Sequence, residues 1–280
     1  MNTKLNHTIR KFNRFELKYL VTLQKAEAFK GALQAYMRPD DHGNDNGRYA
    51  LASLYFDSPD LRCYWEKEYG LRFRRKLRLR HYENGETITE ETPIFVEIKQ
   101  RIDRVTQKRR AVLPYSAALR LCNDRQIPKH APEDKAVIEE IYVYLWQYNL
   151  RPVSIVRYDR QAFIGSAYDL GLRVTFDTAL TFQPHPLHLH EAPQGLSMLP
   201  ANQVVMEIKV NERTPSWLTG LIANHNLRLE RVSKYCSSVE AAQNMPALRW
   251  RNLPPQSATD ALVSVPAVYQ PVQKKLGVQH

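Results

Sequence analysis

The chain has 280 residues, 43% of them hydrophobic and 10% aromatic, enough to bury a core in one large domain or two modest ones. Its formal net charge of +11 points to an anionic partner: nucleic acid, a phospholipid surface or a phosphorylated small molecule. Cys63, Cys122 and Cys236 fit neither a disulfide framework nor a metal spacing, which favours a reducing, cytoplasmic setting, and the absence of an apolar leader or a long uncharged apolar run argues against a signal peptide or a transmembrane helix.

The first expected strand, Phe12–Leu20, alternates Phe15, Leu17 and Tyr19 with Arg14, Glu16 and Lys18. Period two is the β signature, since successive side chains point to opposite faces. Thr22 can cap a helix running through Met37 and stopping before Pro39. Tyr49–Asp57 reads as a strand, and Ser58 as the cap of a helix to Tyr69, with Pro59 at its first position and Gly70 past its end.

Leu71–Tyr82 is the most informative segment. Arg72, Arg74, Lys76, Arg78 and Arg80 fall on one face, against Phe73, Leu77 and Leu79 on the other. Neighbouring cations on that face lie about 7 Å apart. At an effective dielectric of about 20, each adjacent pair repels by roughly 2–2.5 kcal/mol. Such a row inside a fold needs a polyanion to neutralise it. Pro93–Arg101 and Arg104–Leu113 follow, joined by a turn at 100–103. The first alternates Ile94, Val96 and Ile98 with Glu97, Lys99 and Arg101, and the second groups Thr106, Lys108 and Arg110.

Ser116–Cys122 is a short helix. Ala131–Asn149 is the longest, with an apolar stripe of Ile138, Ile141, Val143, Leu145 and Trp146. Strands return at Val153–Ile164, at Leu172–Phe176, where Arg173, Thr175 and Asp177 share a face, and at Val204–Val210, where Glu207 and Lys209 do. Residues 183–200, rich in His and Pro, read as a long loop. Helices are expected at Pro215–Asn224 and Ser237–Asn244. From Pro246 the Pro, Ser, Thr and Gln content leaves little to bury and suggests a disordered tail. The expectation is one α+β domain over 8–245, whose eight antiparallel strands could close into a barrel.

A half-exposed sheet with a wet charged face would explain any one of these strands. Six strands with the same bias, and the pattern Glu-x-Lys at Glu16/Lys18, Glu97/Lys99 and Glu207/Lys209, favour a cationic tunnel. Arginine forks and lysine ammoniums suit phosphate oxygens, and the carboxylates suit Mg²⁺ or Mn²⁺. Against nucleic acid, aromatics do not interleave with the basic rows, and no zinc, helix-turn-helix or RNP signature occurs. No Walker A or dinucleotide loop is present. His185, His188 and His190 sit among prolines without zinc spacing, and Cys63 beside Trp65 reads as a packed thiol.

These residues resemble the VTC domain, the polyphosphate-polymerase module of the vacuolar transporter chaperone family, in the triphosphate tunnel metalloenzyme (CYTH-like) superfamily. The matching stretches are Phe15–Tyr19, Leu54–Ser58, Lys76–Arg80, Val96–Lys99, Lys108–Arg110, Arg157–Arg160, Arg173–Asp177, Met206–Lys209 and Ser233–Tyr235, in the family's order. The resemblance implies an eight-stranded antiparallel tunnel that binds ATP and polyphosphate with Mn²⁺ or Mg²⁺. Lys18, Arg78, Arg80, Lys99, Lys108, Arg173, Lys209 and Lys234 match its phosphate-contacting positions. Glu207 matches its metal-binding carboxylate, with Glu16 and Glu97 as helpers. On this reading Arg78, Arg80, Arg173 and Lys209 form the catalytic set, and Lys76, Arg110 and Arg160 join the phosphate-binding one.

Two departures stand out. Arg14 occupies the place of the first Glu in the Glu-x-Glu-x-Lys opening of the hydrolase branch, which argues against a triphosphatase. The inositol-phosphate sensor domain and membrane helices of eukaryotic relatives have no counterpart here, so the expectation is a stand-alone, bacterial form. The favoured function is ATP-dependent polyphosphate synthesis. The alternatives are hydrolysis of tripolyphosphate or an organic triphosphate in the same tunnel, and a non-catalytic module that docks an anionic polymer beside a membrane-protein partner.

Overall fold

A computed structural model describes residues 14–243 except 45, 84, 104, 167, 168, 170, 192–194 and 212. The Pro-rich segment from Pro246 and both limits of the expected 8–245 domain lie outside the described residues. Ten strands form one antiparallel sheet: β1 (Arg14–Thr22), β2 (Met37–Pro39), β3 (Arg48–Asp57), β4 (Phe73–Glu83), β5 (Pro93–Ile102), β6 (Val105–Pro114), β7 (Arg151–Gly165), β8 (Arg173–Gln183), β9 (Leu196–Ser197) and β10 (Gln203–Asn211). The eight long strands run in the order β1-β10-β8-β7-β3-β4-β5-β6, with β2 added to β7 and β9 to β8.

The sheet is not closed by hydrogen bonds. Among the described residues no ladder joins β1 to β6, the two ends of the path. These edges nevertheless approach to within 8 Å between Cα atoms. A side chain reaches across instead: Lys99 of β5, the strand next to β6, donates to both carboxylate oxygens of Glu16 of β1, at 2.9 and 2.7 Å.

Six helices flank the sheet: α1 (Leu23–Leu33), α2 (Arg62–Glu68), α3 (Tyr115–Cys122), α4 (Lys135–Gln147), α5 (Ser216–Asn224) and α6 (Lys234–Gln243). They cover the apolar faces of the strands. Leu77, Leu79, Ile94, Val96, Ile98 and Ala111 are buried with residues of α2, α3, α4 and α6. Val174, Phe176, Met206 and Ile208 are buried with residues of α1 and α5. Each such side chain contributes roughly 1.5–3 kcal/mol on burial, so the charged faces are left to line the concave side.

Several boundaries differ from expectation. α1 is capped by Thr22, whose hydroxyl accepts the Lys25 N–H at 3.3 Å, but it ends at Leu33. Met37 instead opens β2 and pairs with Gly165. α2 begins at Arg62 rather than after Ser58, because Leu61 takes a left-handed conformation (φ 57°). Ser58 still accepts the Arg62 N–H at 2.9 Å. In α4 the buried face is Ile138, Ile141, Tyr144 and Leu145. Val143 and Trp146, expected in the stripe, are both 59% exposed. α6 begins at Lys234, three residues early, where Ser233 Oγ accepts the Cys236 N–H at 3.3 Å. In the expected 183–200 loop, the part at 183–191 packs against the sheet: Leu187 and Leu189 are buried, and the Arg157 guanidinium donates to Gln183 Oε1 and to the carbonyls of Leu189 and Glu191.

Candidate functional site

Opposed residues of antiparallel strands point to the same face, so the register fixes what meets on the concave side. Glu16 faces Lys209 and Lys18 faces Glu207. Glu207 faces Thr175, and Lys209 faces Arg173. Arg160 faces Asp177 on one side and Tyr49 on the other. Tyr55 faces Arg78, and Arg78 faces Glu97. Glu97 faces Arg110, and Lys99 faces Lys108. The period-two pattern of single strands thus becomes one continuous charged surface.

That surface encloses a cavity of about 1030 Å³. Thirteen cationic and four acidic side chains line it, an imbalance that no pairing among the lining groups can remove. Of the expected residues, Glu16, Lys18, Lys76, Arg78, Arg80, Lys99, Arg160, Glu207, Lys209 and Lys234 line it. Glu97 is on the same face but fully buried beneath its partners, so it does not reach the cavity. Arg78 donates to its Oε2 from Nε (2.8 Å) and Nη2 (2.6 Å), and Lys108 to its Oε1 (3.1 Å). Arg110 sits over the Phe95 ring, 4.6 Å from its centroid. Arg173 is not among the lining residues: it contacts Asp40 at 2.5 Å and donates to the Tyr49 hydroxyl at 2.6 Å.

Three residues without an expected role organise the wall. Asp177, fully buried, takes a bidentate contact from Arg160 (2.7 and 2.8 Å) and lies 2.5 Å from Lys234. It thereby binds α6 to the sheet. Asp57 accepts N–H groups from Ser58, Cys63 and Tyr64 and the hydroxyl proton of Tyr235. It anchors α2 and α6 together. Tyr158 accepts from Arg80 Nη2 at 3.0 Å, while Ser53 accepts from Arg80 Nε at 3.3 Å. Asp57 was visible as a lone acid ending an apolar strand and Asp177 as one on the face of Arg173 and Thr175, but the contacts of both with α6 are remote in sequence.

Burial and field oppose each other at the buried carboxylates. Burial would raise the Glu97 carboxyl, yet Arg78, Arg80 and Lys108 hold it at about 2. Burial would raise Asp177 too, but Arg160 and Lys234 hold it at about 2. Glu207 is likewise opposed by burial and held well below the usual carboxylate range by Lys209, Lys18, Lys99 and Lys234. Lys209 moves the other way. Burial, with Arg160 and Lys99 nearby, brings its ammonium down to about 8 despite Glu207 and Glu16. A surplus of positive charge makes carboxylates more acidic and ammoniums easier to deprotonate.

The carboxylates differ in what they can still bind. Both oxygens of Glu16 and both of Glu97 are engaged. Glu207 Oε1 is buried without a hydrogen-bond partner, although Lys209 Nζ stands 3.3 Å away. An orphaned carboxylate oxygen on the cavity wall fits a hard divalent cation. No group of three His, Cys, Asp or Glu that could hold a metal occurs among the described residues. The fit is therefore to an ion completing its shell with phosphate oxygens and water, as Mg²⁺ commonly does. The three cysteines are free and buried, and no helix is long and apolar enough to cross a membrane.

No curated protein matches the chain. Among solved structures it is similar to the PH1819 protein from Pyrococcus horikoshii OT3, at 12% identity and a TM-score of 0.42, covering 81% of this chain and 99% of that one. It is also similar to a Bacillus halodurans protein proposed to be an adenylate cyclase, at 12% identity and a TM-score of 0.44, covering 79% and 95%. The model of the VTC domain family matches residues 13–243, which take in all ten strands and six helices, and the chain belongs to the VTC domain family.

Proposed function

We propose that the chain is a divalent-metal-dependent polyphosphate polymerase that moves the γ-phosphoryl group of ATP onto a growing polyphosphate chain. The observation that carries this reading is the excess of thirteen cations over four carboxylates around one cavity, within a member of the VTC domain family. A terminal phosphate oxygen of the chain attacks the γ-phosphorus in line. A new P–O bond forms, the bond to the β–γ bridging oxygen breaks, and ADP leaves.

Phosphoryl transfer depends mainly on positioning and charge neutralisation. Arg78 and Arg80 are suited to the equatorial oxygens, because Glu97, Ser53 and Tyr158 hold their guanidiniums in place. Lys209 adds charge from β10 on the same cavity wall. Lys18, Lys76, Lys99, Arg160 and Lys234 bind donor and chain. The nucleophile is already an oxyanion, so no strong base is needed. Glu207 would hold the metal, with Glu16 next to it, and Glu97 acts as the counter-ion that orients Arg78 and Lys108. Mn²⁺ or Mg²⁺ bound there would neutralise phosphate charge. Arg173, Lys108 and Arg110, outside the lining, would guide the chain.

Purified protein incubated with ATP and Mn²⁺ should give ADP and a ladder of polyphosphate on a gel. Free phosphate without chain product would replace this reading with hydrolysis. Tight polyphosphate binding without turnover in any divalent metal would replace it with a binding module.

A further inference from the structure

Tyr55 lies in β3 on the cavity wall and is only 6% exposed. Its hydroxyl oxygen accepts Arg78 Nη1 at 3.3 Å. Among the hydrogen bonds of the described residues, its own O–H proton goes to no acceptor. The ring is fixed against Tyr235, with centroids 5.3 Å apart, and the Arg78 guanidinium carbon is 5.9 Å from its centroid. An oriented donor without an acceptor, in a cavity otherwise rich in cations, matches an anionic oxygen.

We propose that Tyr55 is a phosphate-binding residue, whose hydroxyl donates its proton to a phosphate oxygen held by Arg78. The inference rests on the anion-binding reading of the cavity and adds a neutral donor to it.

The field around Tyr55 explains the proton. Burial alone would raise the phenol, but Arg78 and Arg80 on β4 and Lys234 on α6 lower it to about 8. Lys18 on β1 also faces it. On β7 the opposed residue is the uncharged Ser154, and on α6 Tyr235 directs its own proton to Asp57. In the free protein the phenol thus ionises just above neutrality. A bound phosphate neutralises the same cations and needs the phenol as a donor, so it favours the protonated form.

Lys209 also titrates near 8, so an affinity-against-pH curve alone does not separate the two groups. The near-ultraviolet absorbance of tyrosinate does. With fifteen tyrosines in the chain, the difference between wild type and Tyr55→Phe isolates one step. The free protein should show a tyrosinate step near pH 8 that Tyr55→Phe lacks. Tripolyphosphate should move that step upward by one pH unit or more. At neutral pH Tyr55→Phe should bind tripolyphosphate about tenfold more weakly, the usual scale for a hydrogen bond to a charged group. Calorimetric binding of tripolyphosphate with an unmoved tyrosinate step would overturn the proposal alone. Absence of any tripolyphosphate binding would overturn it together with the anion-binding reading.

Discussion

Arg78 is held by three bonds at once, two to Glu97 and one to Tyr55. Without the carboxylate its guanidinium would swing toward the other anions of the wall. Glu97→Gln is therefore expected to lower kcat by about a hundredfold, the scale of a misplaced reacting group, with a smaller change in KM. The same residue sets acid stability. The folded-state carboxyl titrates at about 2, against an ordinary 4.5, and Asp177 titrates at about 2 against 3.8. A depressed folded pKa contributes stability that is complete above the unfolded value and is lost as pH falls toward the folded one. Each group should contribute about 2–3.5 kcal/mol at neutral pH. Denaturant midpoints measured over this range should fall from about pH 4.5 to pH 2, and Asp177→Asn should start lower and fall less.

At the scale of elements, α6 is the part whose position decides the site. It carries Lys234 to Asp177 and Tyr235 to Asp57, and Lys76 donates to Ser233 at its head. Asp57→Ala removes the acceptor of three backbone N–H groups and the Tyr235 hydroxyl. Leaving several buried donors unsatisfied should cost about 3–5 kcal/mol. Asp57→Asn keeps one oxygen and should cost about half as much, so thermal melts should rank the three proteins in that order. This coupling was not legible in the sequence, because Tyr235 lies 178 positions from Asp57. The eight long strands were legible, six of them because they alternate charge with apolar bulk and a one-residue slip would reverse every side chain, whereas the short β2 and β9 carry no such pattern. The α4 stripe was misread at Val143 and Trp146 because a helix of 3.6 residues per turn buries Tyr144 with Ile141 and Leu145. Closure was overestimated for a related reason: it depends on strand tilt and stagger, which the residue pattern does not carry.

For the molecule as a whole, the inward turn of the charged faces makes the empty cavity a source of self-repulsion. The thirteen lining cations exceed their lining carboxylates by nine, and the buried ones, Arg80 and Arg160 among them, are poorly screened by salt. A polyanion that enters relieves this strain, whereas chloride in the surrounding solvent does so weakly. Ligand bound only by the native state stabilises by about 2.7 kcal/mol at a hundredfold excess over its Kd. For a domain of this size that corresponds to about 5–10 °C in Tm. Tripolyphosphate should give this rise at moderate ionic strength, and equal ionic strength as sodium chloride should not. Arg80→Gln, which removes a buried cation held only by neutral hydroxyls, should raise the melting point of the free protein and shrink the rise with tripolyphosphate. If the free variant melts lower instead, the repulsion is already balanced within the wall, and the hydrogen bonds of Arg80 outweigh its charge.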